Sequence, residues 1–328
     1  MNNSEIPRKQ LGFFPTPVQK LENLTRYFGG LQIYIKRDDQ TGLALGGNKT
    51  RKLEYLIGDA LAQNCDCVIT GGAEQSNHCR QTAAAAAMSG LECHLALRGE
   101  EPEEYSGNLL LDKLFNAKIH WSQLYRKGEN IYTIAEELKA SGKNPYIIPY
   151  GGSNKIGALG YVEAINEITK QLSEQKIKID HTVFASSSGG THAGMIAGKV
   201  LYNFSSGLIG VQIDKEEAGD KPFARNIIEL ANEVSSELEL DKTFTQKDVT
   251  LRDDFMESDY GVVGYLERNA IKLLAEKEGI LLDPVYTGRV FGGLIRMIEN
   301  KEFSKDETIL FWHTGGAPSL FSYSKELT

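Results

Sequence analysis

The sequence predicts an α/β protein whose parallel sheets carry helices on both faces, and three observations support this. Short apolar runs alternate with segments of helical periodicity along nearly the whole chain. Loops rich in glycine and hydroxyl residues recur where those runs end and helices begin. The 328 residues suffice for two ordinary domains or one large one, so a sizeable core can be buried.

Taken in order, LQIYIKR reads as a strand, and KTRKLEYLIGDALAQ places Leu53, Leu56, Ile57 and Leu61 at helical spacing. CDCVIT is a strand, SNHCRQTAAAAAMSG an alanine-rich helix ending at Gly90, and LECHLALRG another strand. AKIHWS, IYTIAEELKAS and NPYIIPYG continue as strand, helix and strand. The helix ALGYVEAINEITKQLSEQ, the strand DHTVFASSS, the helix THAGMIAGKVLYNF and the strand LIGVQID follow. A helix around GYLERNAIKLLAEKEG and a final strand in ETILFWHTGG close the pattern. The polar stretch from Lys215 to Asp253 is the least patterned.

Composition narrows the function classes. Hydrophobic residues at 41% and charged residues at 24% are those of a soluble globular protein. A formal charge of −8 argues against nucleic acid, because phosphate-backbone binding needs clustered Lys and Arg. The polar opening MNNSEIPRKQ does not resemble a signal peptide, and no apolar run is long enough to span a membrane. The expectation is a cytoplasmic protein. Cys65 and Cys67 lack the C-x-x-C spacing of metal and redox motifs, so they read, with Cys79 and Cys93, as small buried hydrophobes.

Six loops carry the chemistry: LGGNKT, TGGAEQSNH, YGGSNKIGALG, SSSGGTHAG, DPVYTG and HTGGAP. Their placement suggests one site built from many loops. In SSSGGTHAG, Gly189 and Gly190 allow close backbone approach, and Ser188 and Thr191 add hydroxyls at a helix start. That pattern favours an anion over a plain helix cap. GLALGGNKT nearly matches a nucleotide loop, but Asn48 replaces its second glycine. If the anion binds at Ser188–Thr191, Lys49 is left for other work, such as reacting with an aldehyde. Arg51 and Lys52 read as solvated residues or as secondary anion partners. Ser76, Asn77 and His78 open the alanine-rich helix, where N–H groups can receive a carboxylate. Tyr286, and Tyr260 with it, is either a packing residue or an acid or base. His192 reads as a helix-turn residue. HTGGAP offers Thr314 and two glycines able to admit a flat ring.

Together these segments, from about Phe14 to Tyr323, resemble the D-cysteine desulfhydrase and aminocyclopropane-carboxylate deaminase family of pyridoxal-phosphate enzymes. The resemblance implies fold type II, with two open, twisted parallel-sheet domains. Residues 1–50 and 162–328 would form the large cofactor-binding domain, and residues 51–161 a smaller inserted one. It implies that Lys49 joins the cofactor aldehyde and later shuttles the α-proton. Ser188, Gly189, Gly190 and Thr191 would cradle the phosphate, and Asn77 would meet the ring hydroxyl. Ser76, Asn77 and His78 would receive the substrate carboxylate, with Tyr286 and Tyr260 flanking it. The deaminases of the family place Glu at the position of Thr287 and Leu at that of Thr314, so these two threonines point to a desulfhydrase. The expected partner is a small amino acid, most simply D-cysteine, and the expected assembly a homodimer. The alternatives are an aminocyclopropane-carboxylate deaminase, an L-cysteate sulfo-lyase and a non-catalytic amino-acid-binding protein. Glu74 departs from the family's small or apolar residue, and its charge would repel anionic substrates unless Arg80 or Lys52 offsets it.

Overall fold

The computed structural model describes residues 6–123, 125, 127–215 and 221–328. The first five residues of the polar opening and residues 216–220 of the weakly patterned stretch lie outside them. The first half of the chain forms β1 (Val18–Lys20), α1 (Glu22–Tyr27), β2 (Gln32–Arg37), α2 (Lys49–Ala62), β3 (Cys67–Gly72) and α3 (Asn77–Ser89). It continues through β4 (Glu92–Arg98), α4 (Gly107–Leu114), β5 (Lys118–Ser122), α5 (Ile131–Ala140), β6 (Pro145–Ile147) and α6 (Lys155–Gln175). The second half adds β7 (His181–Ser186), α7 (Gly190–Leu201), β8 (Gly207–Gln212), α8 (Phe223–Glu237) and β9 (Leu251–Arg252). It ends with α9 (Tyr265–Glu278), α10 (Thr287–Glu299), β10 (Thr308–His313) and α11 (Ser324–Leu327).

Among the described residues these strands make a six-stranded sheet, ordered β1-β2-β10-β7-β8-β9, and a four-stranded sheet, ordered β5-β4-β3-β6. All pairings are parallel except β1 with β2. Parallel strands covered on both sides need apolar residues on both sides. In β10, Leu310 and Trp312 join the core shared with α6, α7 and α8, while Ile309 and Phe311 join the core shared with α1, α9 and α10. The smaller sheet repeats this. Val68 and Leu95 pack with residues of α2 and α3, whereas Cys67, Ile69 and Ala96 pack with α5. Each such fully buried aliphatic side chain contributes roughly 1.5–3 kcal/mol relative to exposure. All four cysteines are buried and unbridged.

The helix starts that matter for function are capped by the residues that line the loops. Ser76 accepts the Cys79 N–H at 3.2 Å to begin α3, which ends at Gly90 with φ +71°. Asn154 accepts the Gly157 N–H at 2.8 Å to begin α6.

Three parts of the sequence reading need correction. The stretch from Lys215 to Asp253 contains α8, whose buried Phe223, Ile227, Leu230, Ala231 and Val234 keep helical spacing among charged residues. The DPVYTG turn that carries Tyr286 leads directly into α10, a helix the sequence reading omitted along with α4. Arg51 and Lys52 are not solvated: both are buried. Arg51 bonds Asp38 and Glu167, and Lys52 turns toward Ser153.

Candidate active site

All six glycine- and hydroxyl-rich loops contribute to one cavity with about 590 Å³ of open space. Five of them leave the carboxyl ends of β2, β3, β6, β7 and β10; the sixth is the turn between α9 and α10. The cavity wall holds Lys49, Ser76, Asn77, His78, Ser188, Gly189, Thr191, Tyr286 and Thr314 of the residues singled out in the sequence.

Lys49 is the first residue of α2, and its turn is tied down from several directions. The Asn48 N–H donates to the Thr314 carbonyl at 2.9 Å, joining the lysine loop to the end of β10. Asn48 Nδ2 donates to Thr191 Oγ1 at 3.3 Å, joining it to the start of α7. The Thr50 N–H donates to Gln81 Oε1 at 2.9 Å, and Gln81 Nε2 donates to the Asn77 carbonyl at 3.0 Å. One glutamine therefore links the starts of α2 and α3. Asn48, out of place for a nucleotide loop, serves as the tie between the lysine and the cup facing it.

That cup is built by Ser188, Gly189, Gly190 and Thr191 at the N-terminus of α7, where the helix's first N–H groups lack partners within the helix. Ser153 closes it: its hydroxyl lies 2.7 Å from Ser188 Oγ and accepts the Gly190 N–H at 3.1 Å. Lys52 Nζ donates to Ser153 Oγ at 3.2 Å and to the Gly151 carbonyl at 3.0 Å. Burial pushes the Lys52 amine well below its ordinary pKa, and the charge of Lys49 pushes the same way. An anion in the cup would relieve both effects. Gly151, at φ +63°, is where the wall must be thin. A Cβ there would stand 2.2 Å from Ser188 Oγ and 3.5 Å from Lys49 Nζ.

On the opposite side, Ser76, Asn77 and His78 form the buried start of α3. His78 Nε2 lies 2.9 Å from Thr70 Oγ1, and its Nδ1 is buried without a partner. Burial first, then the charges of Lys49 and Lys52, push its pKa well below the ordinary value, so this imidazole is neutral. Tyr286 Oη is 2.5 Å from Tyr260 Oη. Burial and the neighbouring Tyr260 raise the Tyr286 pKa, so it is a protonated phenol at neutral pH.

Three singled-out residues lie behind the wall. Tyr260 reaches the site through Tyr286 and lines an outer cavity with Glu74, Arg98 and Tyr323. Gly190 underlies the cup, bonded to Ser153. Thr287 is buried, and its hydroxyl donates to Asp283 Oδ1 while accepting the Asp283 N–H, both at 2.7 Å. Glu74 is exposed, and the side chains of Arg80 and Lys52 bond main-chain carbonyls elsewhere, so neither is set to offset it.

Sequence reasoning missed Asn48 as a positive contributor, together with Tyr150, Ser153, Ser186, Ser187 and His192. Tyr150 and Ser153 flank the glycines of a loop already marked as suspect, which was the available signal. His192 is fully buried against Ser186, with Nδ1 and Oγ 3.0 Å apart, and burial lowers its pKa to about 3.

Comparison with known proteins agrees with this geometry. The family model described as pyridoxal-phosphate-dependent enzyme matches residues 9–315. The chain is 45% identical over 332 residues to a D-cysteine desulfhydrase of Klebsiella pneumoniae (strain 342), covering 99% of each. It is also 45% identical over 326 residues to that of Salmonella newport (strain SL254), covering 98% of this chain and 97% of the relative. A crystal structure described as an ACC deaminase homologue superposes with a TM-score of 0.90 at 40% identity, covering 99% of this chain and 96% of the other. The chain belongs to the pyridoxal-phosphate-dependent enzyme family. A lysine amine, a separate anion cup with a buried cation and a glycine-walled slot are what that cofactor requires, and these residues fit it.

Proposed function

We propose that this protein is a β-eliminating lyase that converts D-cysteine and water to pyruvate, hydrogen sulfide and ammonia. One observation carries the reading. The Lys49 amine, the anion cup and the carboxylate-receiving turn of α3 meet in one cavity, in a chain 45% identical end to end to D-cysteine desulfhydrases.

Bound pyridoxal phosphate supplies the electron sink that makes the α-proton of an amino acid removable. The protein supplies the rest. Ser188, Gly189, Gly190 and Thr191, helped by Ser153 and Lys52, hold the phosphate. Asn77 offers its amide to the ring oxygen, and Thr314 with Gly315 shapes the slot for the ring. Lys49 would hold the aldehyde end of the cofactor, and its Nζ is the base that would take the proton from the substrate Cα. The N–H groups of Ser76, Asn77 and His78 receive the carboxylate. A neutral His78 adds no charge there and leaves orientation to hydrogen bonds. Tyr286, kept protonated, is suited to donate to the departing sulfur, and Tyr260 can restore that proton across their short hydrogen bond. Thr287 stands at the position the deaminases fill with glutamate, and its hydroxyl is bonded to Asp283 behind the wall. Without a carboxylate side chain at that position the bound cofactor would be a weaker electron sink, which expelling a thiolate tolerates. Glu74 on the outer cavity disfavours anionic side chains such as a sulfonate.

Likeness to the desulfhydrases also supports a homodimer in the cytoplasm. The four-stranded sheet supports the division into an inserted domain at residues 51–161 and a large domain from the remainder. Among the described residues no helix is long and apolar enough to cross a membrane.

The test is a substrate panel on the purified holoenzyme. D-cysteine should release sulfide and pyruvate in equal amounts, faster than L-cysteine or L-cysteate. Release of 2-oxobutyrate from aminocyclopropane carboxylate with no sulfide from D-cysteine would replace this reading with the deaminase. Binding without any product would replace it with the non-catalytic one.

A further inference from the structure

Asn77 can present either end of its amide to the cavity, and the two ends have opposite hydrogen-bonding character. The structure contains a device that decides between them. Asn108, in the first turn of α4, is fully buried, and its Nδ2 donates to two oxygens: the Gln75 carbonyl at 2.9 Å and Asn77 Oδ1 at 2.9 Å. The Gln75 carbonyl can only accept, so the atom of Asn108 facing it must be nitrogen. The same nitrogen faces Asn77, so Asn77 must turn its oxygen toward Asn108 and its Nδ2 away. That Nδ2 lies 2.8 Å from where a Cβ on Gly316 would stand, beside the glycine turn that ends at the cavity.

Asn108 is itself fixed. Its N–H donates to Gln75 Oε1 at 2.8 Å, while Gln75 Nε2 donates to the Ser106 carbonyl at 3.2 Å. The Ser106 hydroxyl lies 2.8 Å from that of Ser322, beyond the glycine turn. Gln75 thus clasps the start of α4 in both directions and fixes the Asn108 main chain, while the bond from Nδ2 to the Gln75 carbonyl orients the Asn108 side chain.

We propose that Asn108 is a positioning residue: it locks the Asn77 amide so that an N–H donor, never a carbonyl, meets the cofactor's ring oxygen. This rests on the cofactor assignment of the preceding subsection. Its chemical content is the charge of that oxygen. A fixed donor stabilises the oxyanion form, while a flipped amide would oppose it with a second acceptor.

The test measures the visible absorption band of the holoenzyme and the affinity of apoenzyme for pyridoxal phosphate, in wild type, Asn108→Ala, Asn77→Ala and the double variant. Asn108→Ala is expected to move the band and weaken retention by about tenfold, the loss of one charge-assisted hydrogen bond. In the Asn77→Ala background, the same change should do nothing further. If Asn108→Ala does not fold, Asn108→Leu of nearly matching size serves. Its side chain cannot donate to either oxygen, and it is expected to shift the band in the same way. An unmoved band with retention within twofold of wild type overturns the proposal, and so does an equal effect in both backgrounds. Wild type with no visible band at all would instead sink the cofactor assignment, which separates the two failures.

Discussion

Tyr286 and Asp283 show how single residues set the chemistry. Asp283 Oδ2 accepts the Val285 and Tyr286 N–H groups, each at 3.0 Å. Its Oδ1 accepts the N–H and hydroxyl of Thr287, each at 2.7 Å. The carboxylate thereby caps α10 and aims the phenol into the cavity. If Tyr286 is the proton donor proposed above, Tyr286→Phe should lower kcat for D-cysteine by about 10²-fold with little change in KM. Steady-state kinetics checks this, and an unchanged kcat would remove Tyr286 from the chemistry. The placement of Lys49, Ser76, Asn77 and Ser188 on one cavity was legible in the sequence because they sit in glycine- and hydroxyl-rich loops at strand ends. Asn108, Ser153 and Asp283 were not. Their meaning depends on partners delivered by tertiary packing, as when Asn108 meets Asn77 across the α3–α4 contact, and a side chain's partner has no periodicity to read.

At the scale of elements, α2 directs neighbouring residues to different tasks. Lys49 enters the cavity and Lys52, nearly one turn later, backs the anion cup. Arg51 projects instead into a buried ionic cluster. Such divergence follows from 3.6 residues per turn. The apolar stripe of α2 was readable, but the burial of its cations was not, because their partners lie far off in sequence. The α8 and α10 stripes were equally readable in spacing and were obscured by surrounding charge and glycine. Gln81, which joins the starts of α2 and α3, yields an element-scale prediction. Gln81→Leu leaves the Thr50 donors without their acceptor and should destabilise the fold by about 1–3 kcal/mol. It should also loosen Lys49, lowering kcat/KM at temperatures where the protein remains folded. Thermal unfolding alongside kinetics distinguishes this from a purely global effect, in which activity per folded molecule would not change.

Across the whole molecule, Asp38 gathers residues from distant parts of the chain. Arg51 donates from Nε at 2.9 Å and from Nη2 at 2.8 Å, Tyr161 Oη and Trp312 Nε1 each at 2.8 Å, and Thr16 Oγ1 at 2.9 Å. Glu167 completes the cluster through Lys36 and Arg51. Burial alone would raise the Asp38 pKa, but the Arg51 guanidinium and these hydrogen bonds outweigh it and hold the carboxyl at about 2. A depressed carboxyl pKa stabilises the fold above its unfolded value near 3.8, and that stability is lost as pH falls toward 2. Acid titration of the folded state by circular dichroism should show a transition in that window. Arg51→Met should destabilise the protein by about 3–5 kcal/mol at neutral pH by leaving a buried carboxylate unpaired. Chemical denaturation measures this, and a variant as stable as wild type would contradict the role given to the cluster.

The most direct test of the central claim is peptide mapping by mass spectrometry after borohydride reduction of the purified, pyridoxal-phosphate-loaded protein. The expected result is loss of the visible band and a single pyridoxyl adduct on Lys49. An adduct on Lys52 or any other lysine, or no adduct in a protein that still turns over D-cysteine, would contradict it.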